Sequence, residues 1–190
     1  MRHEFIAKSD LEAAADQTRY KAFKDGVADS YPLSVDDIAE FHLGYDLYYG
    51  ADLPTRIDGC SDSASQLISV SRHITNDMRR RFTVAHEIGH IVLHFPSMVA
   101  QAKYQIALFE LPREPVQDDG LEYQANFFAS ALLMPKEIMS QVFGKRLLKG
   151  DYIREDEVAH YFGVSLRAAG IRMRELRFTT QTSPGELLTL

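Results

Sequence analysis

Cysteine and long apolar runs are what this sequence lacks most clearly. Its 190 residues include a single cysteine, Cys60, so no disulfide can form within the chain. We expect this thiol to be inert, because no histidine partner for a thiolate is indicated. No apolar run approaches the roughly 18 residues of a membrane span, and residues 1–16 lack the apolar core of a signal peptide. These absences favour an intracellular, cytoplasmic protein that does not enter a membrane.

The sequence also has no excess of positive charge. Its formal net charge is −6, with 25% charged and 45% hydrophobic residues. These proportions are typical of a globular protein, and a chain of this length can bury a sizeable core. We therefore expect one domain, or one domain with a small appendage, that does not bind nucleic acid over its whole surface.

Apolar periodicity and capping residues predict several helices and two strands. The strands are expected at Tyr45–Tyr49 and Gln66–Ser71, with a loop or hairpin connection between them. The poorly patterned segment 97–119 is predicted to be irregular. Helix starts are expected at Ser9, Ser34, Asn76 or Asp77, Asp118 or Asp119, and around Pro135.

One apolar stretch, RRRFTVAHEIGHIVLH at residues 79–94, carries unusual polarity for a buried helix. His86 and His90 are about 40° apart around a helix and roughly 6 Å apart along it, so both rings can bind one ion. Glu87, turned by about 100°, can reach the edge of that ion's coordination sphere and accept a proton from water. This is the HExxH arrangement of zinc hydrolases. Imidazole suits Zn²⁺, although Mn²⁺ and Fe²⁺ are compatible with the same ligands.

Helices also carry two histidines at this spacing by accident, with both rings solvated or hydrogen-bonded. The apolar neighbours argue against that interpretation, because buried imidazoles need partners. Gly89 supports a special site, since glycine inside a helix costs about 1 kcal/mol relative to alanine. We expect Gly89 to allow close approach by another backbone, such as a substrate-binding strand.

A catalytic zinc site needs a third protein ligand, and spacing alone leaves several candidates. His94 lies about 80° around the helix axis and about 12 Å along it from His86, so one ion cannot be bound by His86, His90 and His94 together. We expect His94 to hydrogen-bond a ligand or to cap the helix C-terminus. Glu122, in the first turn of a later helix, is equally consistent with a metal ligand and with an ordinary dipole partner. Asp118 and Asp119 are the remaining candidates.

Two segments together resemble the ImmA/IrrE family of metallopeptidases. That family pairs an RFTxAHExGHxxLH helix with a later ExxANxFAxxLLMP helix. This sequence has RFTVAHEIGHIVLH at residues 81–94 and EYQANFFASALLMP at residues 122–135. The similarity extends over roughly residues 34–178, and two motifs in this order are far more specific than HExxH alone.

The resemblance implies zinc bound by His86, His90 and Glu122, with Glu87 as the catalytic base. Asn126 lies four residues after Glu122 on the same helical face, and we expect it to orient a metal ligand. The resemblance further implies cleavage of a helix-turn-helix repressor protein, which would release the genes that it silences. Relatives are cytoplasmic and occur in bacteria, phages and mobile elements. Because no DNA-binding domain is evident at the start of this sequence, we expect a separately encoded repressor.

The predicted fold class is α+β, with a zincin-like helical core and a small antiparallel or mixed sheet within residues 1–150. Residues 151–178 are predicted to form a helix-turn-helix-like helical module, followed by a tail at residues 179–190. Four acidic side chains nearly cancel the arginines of this module, so we expect it to pack on the catalytic domain or dock the repressor, without contacting DNA. The run Arg79–Arg81 is likewise expected to be a solvated helix start, with partners such as Asp77.

Three functions compete on this sequence. The first is a zinc endopeptidase that cleaves a repressor. The second is a non-proteolytic regulator that binds DNA or a repressor and keeps the metal for structure. Glu87 argues against the second, because a purely structural site needs no base. The third is a zinc hydrolase of small molecules.

Overall fold

The computed structural model describes residues 6–27, 30–95 and 119–178. Within these ranges the chain forms seven α-helices, one π-helical turn and three strands, which confirms an α+β protein with a mixed sheet. The helices are α1 (Lys8–Lys24), α2 (Val35–Asp37, continued by the π-helical turn Ile38–His42), α3 (Asp77–Leu93), α4 (Asp119–Leu133), α5 (Lys136–Leu148), α6 (Glu155–Phe162) and α7 (Leu166–Glu175). The strands are β1 (Asp46–Ala51), β2 (Gly59–Asp62) and β3 (Leu67–Ser71). None of the helices in the described ranges combines the length and apolar character that crossing a bilayer requires.

The sheet has the order β1-β3-β2, and β2 was not predicted. β1 pairs with β3 in parallel, whereas β2 pairs with β3 antiparallel, with Gly59 opposite Val70. Cys60 falls in the segment that was predicted to be a loop or hairpin connection, and it is an exposed residue of β2. The sequence GCSD is short and has no β-branched residue, so pairing with β3 rather than intrinsic propensity makes it a strand.

Helix α1 begins close to the predicted position, Ser9. Leu11 and Ala15 are buried, whereas the larger side chains of Tyr20 and Phe23 are 54% and 57% exposed. The buried positions of α1 are Leu11, Ala15, Thr18 and Ala22. These positions follow the alternating four- and three-residue spacing of one helix face. Three of the four side chains are small, so α1 can pack closely against its neighbours.

Gly89 lies where α3 meets α4. A Cβ atom at Gly89 would lie 3.1 Å from the Cα atom and 3.2 Å from the carbonyl oxygen of Ala125. The predicted close approach of another backbone is therefore confirmed, but the expected partner was wrong. The approaching backbone belongs to helix α4 and not to a strand, so Gly89 sets the spacing between the two motif helices.

The three consecutive arginines at the start of α3 behave differently from one another. Arg79 donates to both carboxylate oxygens of Asp58 at 2.7 and 2.8 Å. Arg80 pairs with Asp77 at 2.9 Å, which confirms the predicted partner. The expectation that the whole run is solvated is wrong for Arg81, which is partly buried.

Arg81 links α3 to the C-terminal helices. Its guanidinium donates to the carbonyl oxygens of Leu33 at 2.7 Å and Phe162 at 3.2 Å, and also to that of Gly163. Phe162 and Gly163 end helix α6, where the unpaired carbonyl groups favour a cation. Arg81 therefore pairs with carbonyl groups that intrahelical bonds leave free.

Arg172 in α7 is fully buried and makes a second link to the rest of the molecule. It donates to the carbonyl oxygen of Met134 at 2.9 Å and pairs with Glu12 of α1 and, at 3.8 Å, with Glu175. This arginine is therefore unavailable for contact with DNA. The boundaries of residues 151–178 as a separate helix-turn-helix-like module remain a prediction. The tail 179–190 and most of segment 97–119 lie outside the described residues.

Candidate metal centre

Helix α3 begins as its sequence predicts. The Asn76 side chain accepts a hydrogen bond of 3.0 Å from the backbone N–H of Arg79, which caps the helix. The apolar face of α3 carries Val84, Ile88 and Ile91, all of which are buried. With that face fixed against the core, the helix projects its histidine pair towards α4.

The side chains of His86, His90 and Glu122 converge between α3 and α4. Their ligand atoms all lie within 4.8 Å of one another. The two Nε2 atoms are 3.0 Å apart, and the Glu122 carboxylate oxygens lie 3.2 Å from His86 and 3.4 Å from His90. Among the other candidates for the third ligand, Asp118 lies outside the described residues and Asp119 is the first residue of α4.

This geometry fits a small divalent cation. Two ligand atoms that each lie 2.0–2.1 Å from a tetrahedral zinc are roughly 3.3–3.4 Å apart. The three separations here, from 3.0 to 3.4 Å, come close to that value. Two imidazoles and one carboxylate are also the ligand set of several catalytic zinc sites, which leave a position for water.

Amide and imidazole groups hold the outer nitrogen of each histidine. His86 Nδ1 lies 3.1 Å from Oδ1 of Asn126, and His90 Nδ1 lies 3.0 Å from Nδ1 of His94. His94 Nε2 in turn lies 3.1 Å from Oε1 of Gln124. Asn126, which was expected to orient a metal ligand, contacts His86, and His94, which was expected to hydrogen-bond a ligand or to cap the helix, contacts His90. Sequence reasoning missed Gln124, which lies about 200° around the helix from Glu122.

Glu87 is buried beside the histidine pair, with 5% of its surface exposed. Ser61 of β2 donates a 2.8 Å hydrogen bond to its Oε2 atom, and a Cβ atom at Gly59 would lie 3.1 Å from its Oε1 atom. Burial raises the pKa of Glu87, although His86 and His90 oppose that shift. Sequence reasoning missed Ser61 because it missed the strand that carries it.

Charge interactions within the cluster favour an anionic Glu122. Hydrogen bonds from His86 and His90 hold the pKa of Glu122 well below its usual range. Burial lowers the pKa of His86, but Glu122, Glu87 and Asn126 outweigh that effect and raise it overall. The protein thus holds an ionised carboxylate against two imidazoles, the arrangement that a cation would bind.

Comparison with known proteins finds one matching family model and a solved structure of similar fold. The family model described as Peptidase_M78, IrrE N-terminal-like domain, matches residues 42–174. No curated protein matches significantly. A solved structure described as a Mycobacterium tuberculosis transcriptional regulator matches with a TM-score of 0.59 and 16% identity, covering 93% of this chain. The match covers 58% of that regulator, and at this identity the likeness shows the fold alone. Because the family model covers most of the sequence, the chain belongs to the ImmA/IrrE family of metallopeptidases.

Proposed function

We propose that this chain is a zinc-dependent endopeptidase that cleaves a helix-turn-helix transcriptional repressor and thereby relieves repression. The observation that carries the proposal is the convergence of His86, His90 and Glu122 next to the buried carboxylate of Glu87. Family membership supports peptidase chemistry. The choice of a repressor as substrate rests on the family resemblance, and it implies that the protein acts in the cytoplasm.

In the proposed reaction Glu87 moves one proton. A zinc ion held by His86, His90 and Glu122 would lower the pKa of a water molecule to about 7 and would polarise the scissile carbonyl group. Glu87 accepts a proton from the attacking water as the new C–O bond forms, and it then gives that proton to the leaving amine as the C–N bond breaks. The raised pKa of Glu87 suits both roles, because general acid–base catalysis is most efficient when the pKa of the group is near the working pH.

The position of β2 supports an extended polypeptide substrate over a small molecule. β2 pairs with β3 on one side only, so within the described sheet it is an edge strand. An extended peptide can add to such an edge through backbone hydrogen bonds. Ser61 of this strand contacts Glu87, so a peptide along the edge would pass the proposed base.

A second candidate function is a regulator that binds a repressor or DNA and uses the metal for structure only. It is favoured by the solved relative, which is described as a transcriptional regulator. The hydrogen bond from Ser61 to Glu87 favours the enzyme instead, because a structural metal site has no use for a carboxylate held beside its ligands.

The test incubates the purified zinc-loaded protein with purified helix-turn-helix repressors, with and without a chelator. We expect fragments by mass spectrometry, with one ¹⁸O atom from labelled water in each new carboxylate. Glu87→Gln should slow cleavage by about 10²–10⁴-fold, the usual contribution of a general base. Glu40→Gln, at an exposed site, is the matched control.

Unchanged cleavage by Glu87→Gln contradicts the mechanism. Zinc-dependent repressor or DNA binding without cleavage supports the regulator, and hydrolysis of short peptides alone supports a small-molecule hydrolase.

A further inference from the structure

We propose that Gln124 is a positioning residue, which acts through His94 to hold the His90 ring in the tautomer that can bind a metal. This inference rests on the proposed metal site and adds a residue that neither motif spacing nor the ligand cluster identifies. Three side chains from two helices form the chain of contacts. Which group donates and which accepts in each of these hydrogen bonds follows from the atoms that can carry a proton.

Gln124 and His94 are both buried, with 4% and 5% of their surfaces exposed. Gln124 lies on α4, two residues after Glu122, and His94 directly follows α3. The contacts of 3.1 Å from Gln124 Oε1 to His94 Nε2, and of 3.0 Å from His94 Nδ1 to His90 Nδ1, have hydrogen-bond length. A buried pair of this kind is shielded from competing water.

The order of donors and acceptors is set by the amide oxygen of Gln124, which can only accept a hydrogen bond. His94 must therefore carry its proton on Nε2, and its Nδ1 atom, as the remaining nitrogen of a neutral ring, accepts. His90 must then donate from Nδ1. His90 Nε2 faces His86 and Glu122, which are 3.0 and 3.4 Å away, so this is the nitrogen that would bind a metal ion.

The opposite order of donors and acceptors would weaken metal binding. If the amide nitrogen of Gln124 faced His94, it would donate, and each proton along the chain would move to the other ring nitrogen. His90 would then carry its proton on Nε2, which is the atom that faces the cluster. Imidazole binds metal only through an unprotonated nitrogen, so the orientation of one amide group favours or disfavours His90 as a ligand.

The other histidine has a shorter version of the same support. His86 Nδ1 contacts the amide oxygen of Asn126 directly, at 3.1 Å. Helix α4 therefore supplies the carboxylate ligand and, in this proposal, both amides that orient the histidines. Such outer contacts typically contribute about 10–100-fold to metal affinity.

The test replaces Gln124 with leucine, which has a similar size but cannot accept a hydrogen bond. Competition with a chromophoric chelator measures zinc affinity, and we expect Gln124→Leu to bind zinc about 10–100-fold more weakly than the wild type. Gln141→Leu is the matched control, because Gln141 contacts Glu137 in an exposed position on α5. If the wild type binds zinc and Gln124→Leu binds it within about threefold of the wild type, the role of Gln124 is refuted and the proposed function stands. A wild-type protein without zinc affinity would overturn the proposed function itself.

A second measurement needs no substitution and decides the matter if Gln124→Leu does not fold. Side-chain ¹H–¹⁵N correlation spectra of the full-length metal-free protein report which ring nitrogen of each histidine carries the proton. We expect a proton on His90 Nδ1 and the His94 proton on Nε2. A His94 proton on Nδ1, or no proton on His90 Nδ1, would refute the proposed order of donors and acceptors, and a merely structural role for Gln124 predicts no preference.

Discussion

Replacing Glu122 with glutamine tests the third ligand while leaving the shape of the side chain almost unchanged. The carboxylate of Glu122 bridges both histidines, at 3.2 and 3.4 Å, and is held ionised by them. Glutamine keeps one weakly coordinating oxygen but loses the negative charge. Structural zinc sites with four ligands have apparent binding free energies of about 10–16 kcal/mol, so one ligand contributes roughly 2.5–4 kcal/mol.

At about 1.4 kcal/mol per tenfold change, this loss corresponds to zinc binding about 10²–10³-fold more weakly. The assay is competition with a chelator of known zinc affinity, at one pH and ionic strength for all variants. Glu40→Gln removes the same charge from an exposed position and should leave zinc affinity unchanged. A Glu122→Gln affinity within about tenfold of wild type would refute the assignment of Glu122 as a ligand.

Three further predictions concern the base, the helix contact and a partly buried tyrosine. Ser61→Ala should lower kcat about 10–150-fold and leave KM unchanged, because a hydrogen bond to a charged group contributes about 1.5–3 kcal/mol. Gly89→Ala should lower the free energy of unfolding by about 1 kcal/mol, because crowding against Ala125 outweighs the gain in helix propensity. Burial raises the pKa of Tyr31 to about 12, so wild type should lose stability as the pH rises from 10 towards 12. The free energy of unfolding of Tyr31→Phe should not fall for this reason over the same pH range. Denaturant titrations of both proteins at several pH values measure the difference.

Each of these predictions has a control and a contradicting result. Ser61→Thr retains a hydroxyl group and should recover most of the activity, whereas equal loss in both variants would implicate packing. Gly144→Ala, in α5 with nothing within 4 Å of the added atom, should stabilise the protein by about 1 kcal/mol. A Gly89→Ala protein as stable as Gly144→Ala would contradict the close helix contact. If the free energies of unfolding of wild type and Tyr31→Phe changed equally with pH, that result would contradict the raised pKa of Tyr31.

The parts of the site that lie within one helix were accessible from the sequence. His86, Glu87 and His90 are related by helical geometry alone, and the Asn76 cap has a local signal. Spacing left Glu122 undecided, because no local rule brings α4 against α3. The family resemblance favoured it, and the structure brings its carboxylate to the two histidines.

Features that depend on contacts between distant segments were not accessible. β2 is a strand because β3 pairs with it, so Ser61 could not be connected to Glu87. Local charge patterns describe Arg81 as an exposed helix start, yet its hydrogen bonds are to residues more than 45 positions away in sequence. Gln124 lies off the face that carries Glu122, so only the packing of His94 against it reveals the contact.

The most direct test of the central claim is anomalous diffraction at the zinc absorption edge, from crystals of the zinc-loaded protein. The proposed site requires one peak within about 2.0–2.2 Å of His86 Nε2, His90 Nε2 and a Glu122 carboxylate oxygen. A zinc peak that excludes Glu122, or no peak between α3 and α4 at saturating zinc, would contradict it.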